Sequence, residues 1–209
     1  PEGETHVEKY DALIEQLVAR RVLATPHIAR AFRKVRREDF LPEDVAEWAG
    51  EDHPLPIGHG QTNSQPYTVA FMFELLQPGA DQAVLDVGCG SGWTTALLAG
   101  IVGSGGRVVG TERIGELAQG ARERIQGLGI ENASIIHTPA VLGYPEQAPY
   151  DRILVSAAAQ EVPSQLVDQL AVDGILVIPV RHSIFKIEKT SQGTRSEEHT
   201  GFSFVPLVD

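Results

Sequence analysis

The apolar positions of this chain change their period along its length, and the changes divide it into three parts. Tyr10, Leu13, Ile14, Leu17, Val18 and Val22 recur at helical spacing and predict a helix over Val7–Val22. Thr25-Pro26 reads as an N-cap followed by proline in the first turn. The second helix that it opens would bury Ile28, Ala31, Phe32 and Val35. The pattern then lapses from Pro42 to Gly60, a stretch rich in proline, glycine and acid. It runs into Leu55-Pro-Ile-Gly-His-Gly-Gln-Thr-Asn-Ser-Gln-Pro66, too polar and glycine-rich for a helix or a core strand. That segment is either a connector or a site loop.

From Tyr67 to Leu76 the helical period returns, and Gln77-Pro-Gly-Ala-Asp81 breaks it. Strands and helices then alternate. Strands are expected at Ala83–Val87, Arg107–Thr111, Ser134–His137, Asp151–Ser156 and Gly174–Pro179. Helices are expected at Trp93–Val102, Ile114–Leu128 and Pro163–Leu170. Such alternation with short loops implies a parallel sheet covered on both faces. Ser183–Lys189 and Gly201–Leu207 alternate like antiparallel strands, with a polar turn Thr190–His199 between them. The expected fold is α/β, a doubly wound, mostly parallel sheet with an N-terminal helical cap and a C-terminal β-hairpin. Residues 1–209 are read as one domain: cap and loop over 1–66, Rossmann-like core over 67–180 and hairpin over 181–209.

Composition narrows the class of function. With 42% hydrophobic and 22% charged residues, the chain can bury a core and is not expected to be disordered. A net charge of −11 argues against a nucleic-acid backbone as partner. The local basic run Arg30, Arg33, Lys34, Arg36 and Arg37 reads as a solvated helix face. Cys89 is the single cysteine, which excludes an intrachain disulfide and suits a reducing cytoplasm. No apolar run approaches the ~20 residues of a membrane span, and the polar N-terminus has no signal-peptide core. The histidines show no metal-ligand spacing. His59, beside the site loop, is expected to pack the loop, and Trp93 to pack the first turn of its helix.

The chemistry centres on Val84-Leu-Asp-Val-Gly-Cys-Gly-Ser-Gly-Trp93, between a strand and a helix, where a doubly wound fold binds its ligand. Gly88, Gly90 and Gly92 follow G-x-G-x-G, whereas a dinucleotide fingerprint is G-x-G-x-x-G. Asp86 precedes the first glycine. A carboxylate there disfavours a pyrophosphate and favours a cationic amino acid. Glu112 ends the next strand, roughly 20 residues on, where an acid can hydrogen-bond ribose hydroxyls. These features point to S-adenosyl-L-methionine, which carries a sulfonium and an ammonium and no phosphate. Asp86, Gly88, Cys89, Gly90, Gly92, Glu112 and Arg113 are the expected cofactor residues.

Taken together, the segment Leu55–Pro66, the glycine loop, Ala148-Pro-Tyr-Asp-Arg-Ile-Leu-Val-Ser-Ala-Ala-Ala159, Gly174-Ile-Leu-Val-Ile-Pro-Val180 and Phe204-Val-Pro-Leu207 resemble the protein-L-isoaspartate (D-aspartate) O-methyltransferases. Val35-Arg-Arg-Glu-Asp-Phe-Leu-Pro42 fits too, so the resemblance spans nearly the whole chain. The Gln-Thr-x-Ser-Gln-Pro element is its specific part. The resemblance implies methylation of the free α-carboxylate of isoaspartyl residues in damaged proteins, releasing S-adenosyl-L-homocysteine. It also implies that Ser64 lies nearest the transfer, with Thr62 its neighbour. The expected partners are isoaspartyl proteins and peptides, with no nucleic acid and no membrane, and the chain is expected to act as a monomer.

Two positions depart from the family pattern. Asn63 stands where an apolar residue is usual, and is compatible with function if it faces solvent. Thr138-Pro139-Ala140 replaces a usual Gly-Asp whose acid helps hold adenine, so the resemblance implies Thr138 or backbone groups as the cofactor contact there. The residues alone leave room for a same-fold enzyme with another acceptor, or for a non-catalytic protein that retains the loop. A nicotinamide reductase is disfavoured by the glycine spacing and Asp86.

Overall fold

The computed structural model describes residues 6–207; the extreme N-terminal residues invoked against a signal peptide lie outside it. Two helices, α1 (His6–Ala19) and α2 (Pro26–Lys34), form the cap. A small antiparallel pair, β1 (Leu55–Gly58) and β2 (Gln61–Asn63), precedes α3 (Pro66–Leu76). The core then runs β3 (Ala83–Val87), α4 (Trp93–Val102), β4 (Arg107–Glu112), α5 (Gly115–Gly127), β5 (Ala133–His137), β6 (Tyr150–Val155), α6 (Ser164–Gln169) and β7 (Leu170–Val180). Two further strands, β8 (Ser183–Thr190) and β9 (Gly193–Thr200), complete it.

The main sheet has the order β5-β4-β3-β6-β7-β8-β9, parallel from β5 to β7 and antiparallel beyond. The chain winds outward from β3 first to β4 and β5, then on the other side to β6 and β7. The strand order therefore reverses at β3, and a crevice opens at the carboxyl end of that strand. Every residue of β3 is buried, as a central strand covered on both faces requires.

The cap completes one of those covers. Helix α4 is buried at nearly every position because it lies between the sheet and the cap. Phe32 of α2 meets Phe73 of α3 and Trp93 of α4 edge to face, with ring centroids 5.5 and 5.8 Å apart. Trp93 thus packs the first turn of its helix, as expected.

Four expectations need correction. The hairpin's second strand is β9, not 201–207, and its turn is only Ser191-Gln192. As the outermost strand, β9 is exposed almost throughout, so its sequence carries no apolar alternation to reveal it. Residues beyond Gly201 instead cross to the segment after β6, where Ala158 N–H donates to Val205 O at 2.8 Å and Leu207 N–H to Ala158 O at 2.8 Å. Thr25 occupies the N-cap position without capping; its hydroxyl donates to Glu74 Oε2 at 2.6 Å. The basic run is only partly a solvated face: Arg30, Arg33 and Lys34 are exposed, whereas Arg37 is completely buried. Finally, the site segment 55–66 contains two short strands, with Leu55 and Ile57 turned inward and the polar residues at the tip outward. Among the described residues no helix is long and apolar enough to cross a membrane.

Candidate active site

The turn after β3 is held by its own backbone. The N–H groups of Gly88 and Cys89 donate to Thr111 O at 2.8 and 3.0 Å, which ties the loop to β4. Gly88 has φ +73, and a Cβ there would meet nothing within 4 Å. The backbone at Gly88 therefore lies open to any ligand in the crevice, and glycine supplies both the conformation and the approach. Gly92 serves a different purpose. It has φ +95 at the start of α4, and a Cβ would come within 3.2 Å of Ala121 Cβ. That glycine lets α4 and α5 pack closely and does not line the cavity.

Glu112 closes the loop from the end of β4. Its Oε2 accepts from Gly90 N–H at 3.0 Å and its Oε1 from Ile114 N–H at 2.9 Å. A carboxylate has about four lone-pair sites, so two further donors can still be accepted. Asp86 does not sit where its sequence position suggests. It is fully buried behind the loop, and Oδ2 accepts from the hydroxyls of Thr94 and Thr95, each at 2.7 Å. Its other oxygen has no partner. Burial pushes its carboxyl up to about 6; the Glu112 charge adds to that, and the two threonine hydrogen bonds oppose it. Asp86 reaches the cavity only through Thr94, which lines it. Cys89 also lines the cavity, its thiol held well above the usual range by burial, which makes it inert.

Two adjoining cavities of about 90 and 210 Å³ occupy the crevice and share Gly88, Arg113 and Leu207. The first brings Thr62, Ser64, the glycine loop, Glu112, Ser156 and Val205-Pro206-Leu207 to one space. The second is lined on its apolar side by Val87, Pro139, Val141 and Leu142, with Thr111, Arg113, Thr138 and Gln165 at its polar positions. No carboxylate lines it. The expected residues Gly88, Cys89, Gly90, Glu112, Arg113, Thr138, Thr62 and Ser64 therefore converge, while Asp86 and Gly92 act from behind.

Asn63 does not face solvent. It is 5% exposed, accepts from Arg37 Nε at 2.9 Å through Oδ1, and its Nδ2 donates to Ser91 Oγ at 3.3 Å. Alternation explains this: on β2 the burial pattern turns Asn63 inward and Thr62 outward. His59 lies outside the cavity and pairs with Glu116 at 2.8 Å. Ser91, Ser156 and Val205 were not singled out by sequence. Ser156 and Val205 lie within segments that carry the family resemblance, and Ser91 lies inside the glycine loop itself.

The residues present fit S-adenosylmethionine on three counts. An open glycine backbone permits close approach, an acceptor-rich carboxylate ends β4, and an apolar slot suits a flat ring. Comparisons with known proteins agree. The family model for protein-L-isoaspartate(D-aspartate) O-methyltransferase matches residues 8–209. The chain is 44% identical over 207 residues to the protein-L-isoaspartate O-methyltransferase of Ignicoccus hospitalis, covering 97% of this chain and 98% of that one. It is 47% identical over 200 residues to protein-L-isoaspartate O-methyltransferase 2 of Pelobacter propionicus, covering 93% and 87%. A Plasmodium falciparum crystal structure described as a protein-L-isoaspartate O-methyltransferase with S-adenosyl-L-homocysteine superposes with a TM-score of 0.84, at 27% identity and 99% coverage of both chains.

Proposed function

The chain belongs to the protein-L-isoaspartate(D-aspartate) O-methyltransferase family, and from that premise we propose that it transfers a methyl group to the free α-carboxylate of L-isoaspartyl residues. The observation that carries this reading is the convergence of Thr62 and Ser64 with the glycine loop and Glu112 on one cavity. Bound there, S-adenosylmethionine supplies an electrophilic methyl carbon on a sulfonium.

What the chain must add is small. A carboxylate with an ordinary pKa of about 4 is already ionised at pH 7, so no general base is needed. The cavity must place one carboxylate oxygen in line with the methyl carbon and keep water out. Positioning of this kind can supply on the order of 7–11 kcal/mol of a barrier. Arg37 binds the backbone carbonyl of Ser64, and Ser64 lines the cavity, where its hydroxyl is the group that would orient the acceptor carboxylate. Glu112 would hold the ribose hydroxyls, the Gly88 backbone would admit the amino-acid end, and Thr138 with Arg113 would border the ring. Asp86 fixes Thr94 and Thr95 at the start of α4. Val205-Pro206-Leu207, pinned to Ala158, forms the wall that excludes water from the acceptor side.

The following backbone amide nitrogen then attacks the ester without the enzyme, closing a succinimide and expelling methanol, and hydrolysis returns a share of normal aspartate. Isoaspartyl proteins and peptides are thus the partners, and we read 1–209 as one methyltransferase domain acting as a monomer. A lone buried thiol suits the reducing cytoplasm. The test is methyl transfer to paired peptides that differ only in isoaspartate against aspartate at one site. Rapid labelling of the isoaspartyl peptide alone is expected. Equal labelling of both, or none, would overturn the reading.

A further inference from the structure

We infer that buried Arg37, with Asn63 as its side-chain partner, is the positioning residue that fixes the acceptor loop at the active site. The inference rests on the functional reading above. It arises from a guanidinium that sequence assigns to a solvated face and that the fold buries completely.

A guanidinium carries five N–H donors in a planar fork. Here all five are used. Nε donates to Asn63 Oδ1 at 2.9 Å; Nη1 donates to Ala49 O and Glu51 O at 3.2 and 2.9 Å. Nη2 donates to His53 O at 2.8 Å and Ser64 O at 3.1 Å, with Asn63 O at 3.4 Å. The acceptors span residues 49 to 64, the irregular stretch that leads into and includes the acceptor loop. Apart from the short pairing of β1 with β2, this stretch is thereby gathered on one cation. Among the described residues no carboxylate pairs with it; it lies against the Trp93 ring, 5.6 Å from the centroid. Burial pushes the guanidinium down to about 10, with Tyr10 and Asp52 opposing, so it remains charged at neutral pH.

The cofactor loop does not depend on this cation. Gly88, Cys89, Gly90 and Gly92 take their hydrogen bonds from β4, Glu112 and the loop itself. Among the described residues, this cation meets the loop only at its far end, through the Trp93 ring, and Asn63 meets it through the bond from Nδ2 to Ser91 Oγ, long at 3.3 Å. Arg37 therefore controls where Ser64 sits without setting how the cofactor binds.

The test compares Arg37→Lys, which keeps the charge and loses the fork, with Asn63→Leu, which removes one side-chain link and carries less risk to folding. Three quantities are read: kcat and KM on an isoaspartyl peptide, Kd for S-adenosylhomocysteine by calorimetry, and amide hydrogen exchange over residues 61–65. A misplacement of about 1 Å can cost 100-fold in rate. Accordingly, kcat should fall about tenfold in Asn63→Leu and further in Arg37→Lys, with Kd changed less than about twofold. Exchange over 61–65 should rise while that of β3 holds. A lowered Tm with kcat per folded molecule unchanged would make Arg37 purely structural and overturn the inference. So would a parallel loss of kcat and cofactor affinity. If the wild-type protein ignores isoaspartyl peptides, the functional reading fails and the exchange measurement still decides: protection of 61–65 retained in Arg37→Lys refutes the inference, and protection lost supports it.

Discussion

Replacing Asp86 with asparagine should change how the stability of the free protein depends on pH. The carboxyl is fully buried and held at about 6, against an ordinary 3.8. It therefore binds its proton more tightly in the folded chain than in the unfolded one. The stability that this group contributes is fully present below pH 3.8 and is lost as pH rises through 6. A difference of about two units is worth roughly 3 kcal/mol at 1.36 kcal/mol per unit, of which about 1.5 kcal/mol falls between pH 5 and pH 8. Asparagine does not titrate. Its amide can accept from Thr94 and Thr95 as the carboxylate does, and its NH2 would occupy the place of the unpartnered Oδ1. That orphan donor costs about 1–3 kcal/mol, but equally at every pH. The quantity to measure is the difference in unfolding free energy between Asp86→Asn and wild type, by urea titration from pH 5 to pH 8. It should move in favour of the variant by about 1.5 kcal/mol, or roughly 3–6 °C in Tm. A difference that stays flat across this range would refute the reasoning, because it would mean that Asp86 ionises as an exposed carboxyl does.

Other substitutions probe the cavity itself. Gly88→Ala places a methyl group at φ +73 toward the open crevice, so S-adenosylhomocysteine affinity should drop about tenfold or more by calorimetry, with roughly 1 kcal/mol of stability lost on urea unfolding. Glu112→Gln keeps one acceptor and turns an NH2 toward the N–H of either Gly90 or Ile114, so one loop hydrogen bond is lost and the other loses its charge assistance, and Kd for the same ligand should rise about tenfold. Pro139→Asp would return an acid to a cavity lined by none; Kd should tighten about fivefold, and an unchanged Kd would show that Thr138 and the backbone already satisfy the ring.

The core of this fold was legible because its strands and helices have both period and context. β3 and α4 carry near-continuous apolar runs that end at glycine, and such runs have few other readings. The glycine loop and Glu112 were readable for the same reason, since local spacing alone places them at the ends of consecutive strands. What sequence missed was non-local or unpatterned. β9 is a solvated edge strand held by backbone pairing, so hydrophobicity cannot mark it. Arg37 sits in a basic run, and only the return of residues 49–64 across it turns a surface cation into a buried one. The burial of Asn63 was not readable because its two partners, Arg37 and Ser91, lie far from it along the chain. Asp86 shows the reverse error: its position was right, but its side chain turns to the threonines of α4 and not to the cavity.

The central claim concerns which carboxylate accepts the methyl group, and repair itself reports on that. A synthetic isoaspartyl peptide is incubated with the protein and S-adenosylmethionine, and chromatography follows its composition over repeated cycles. Only an ester on the isoaspartyl α-carboxylate can close to the succinimide that reopens to normal aspartate. Steady accumulation of the aspartyl peptide, dependent on both protein and cofactor, is the expected result. A stable methyl ester with no aspartyl peptide, or no change in the isoaspartyl peptide at all, would contradict the account.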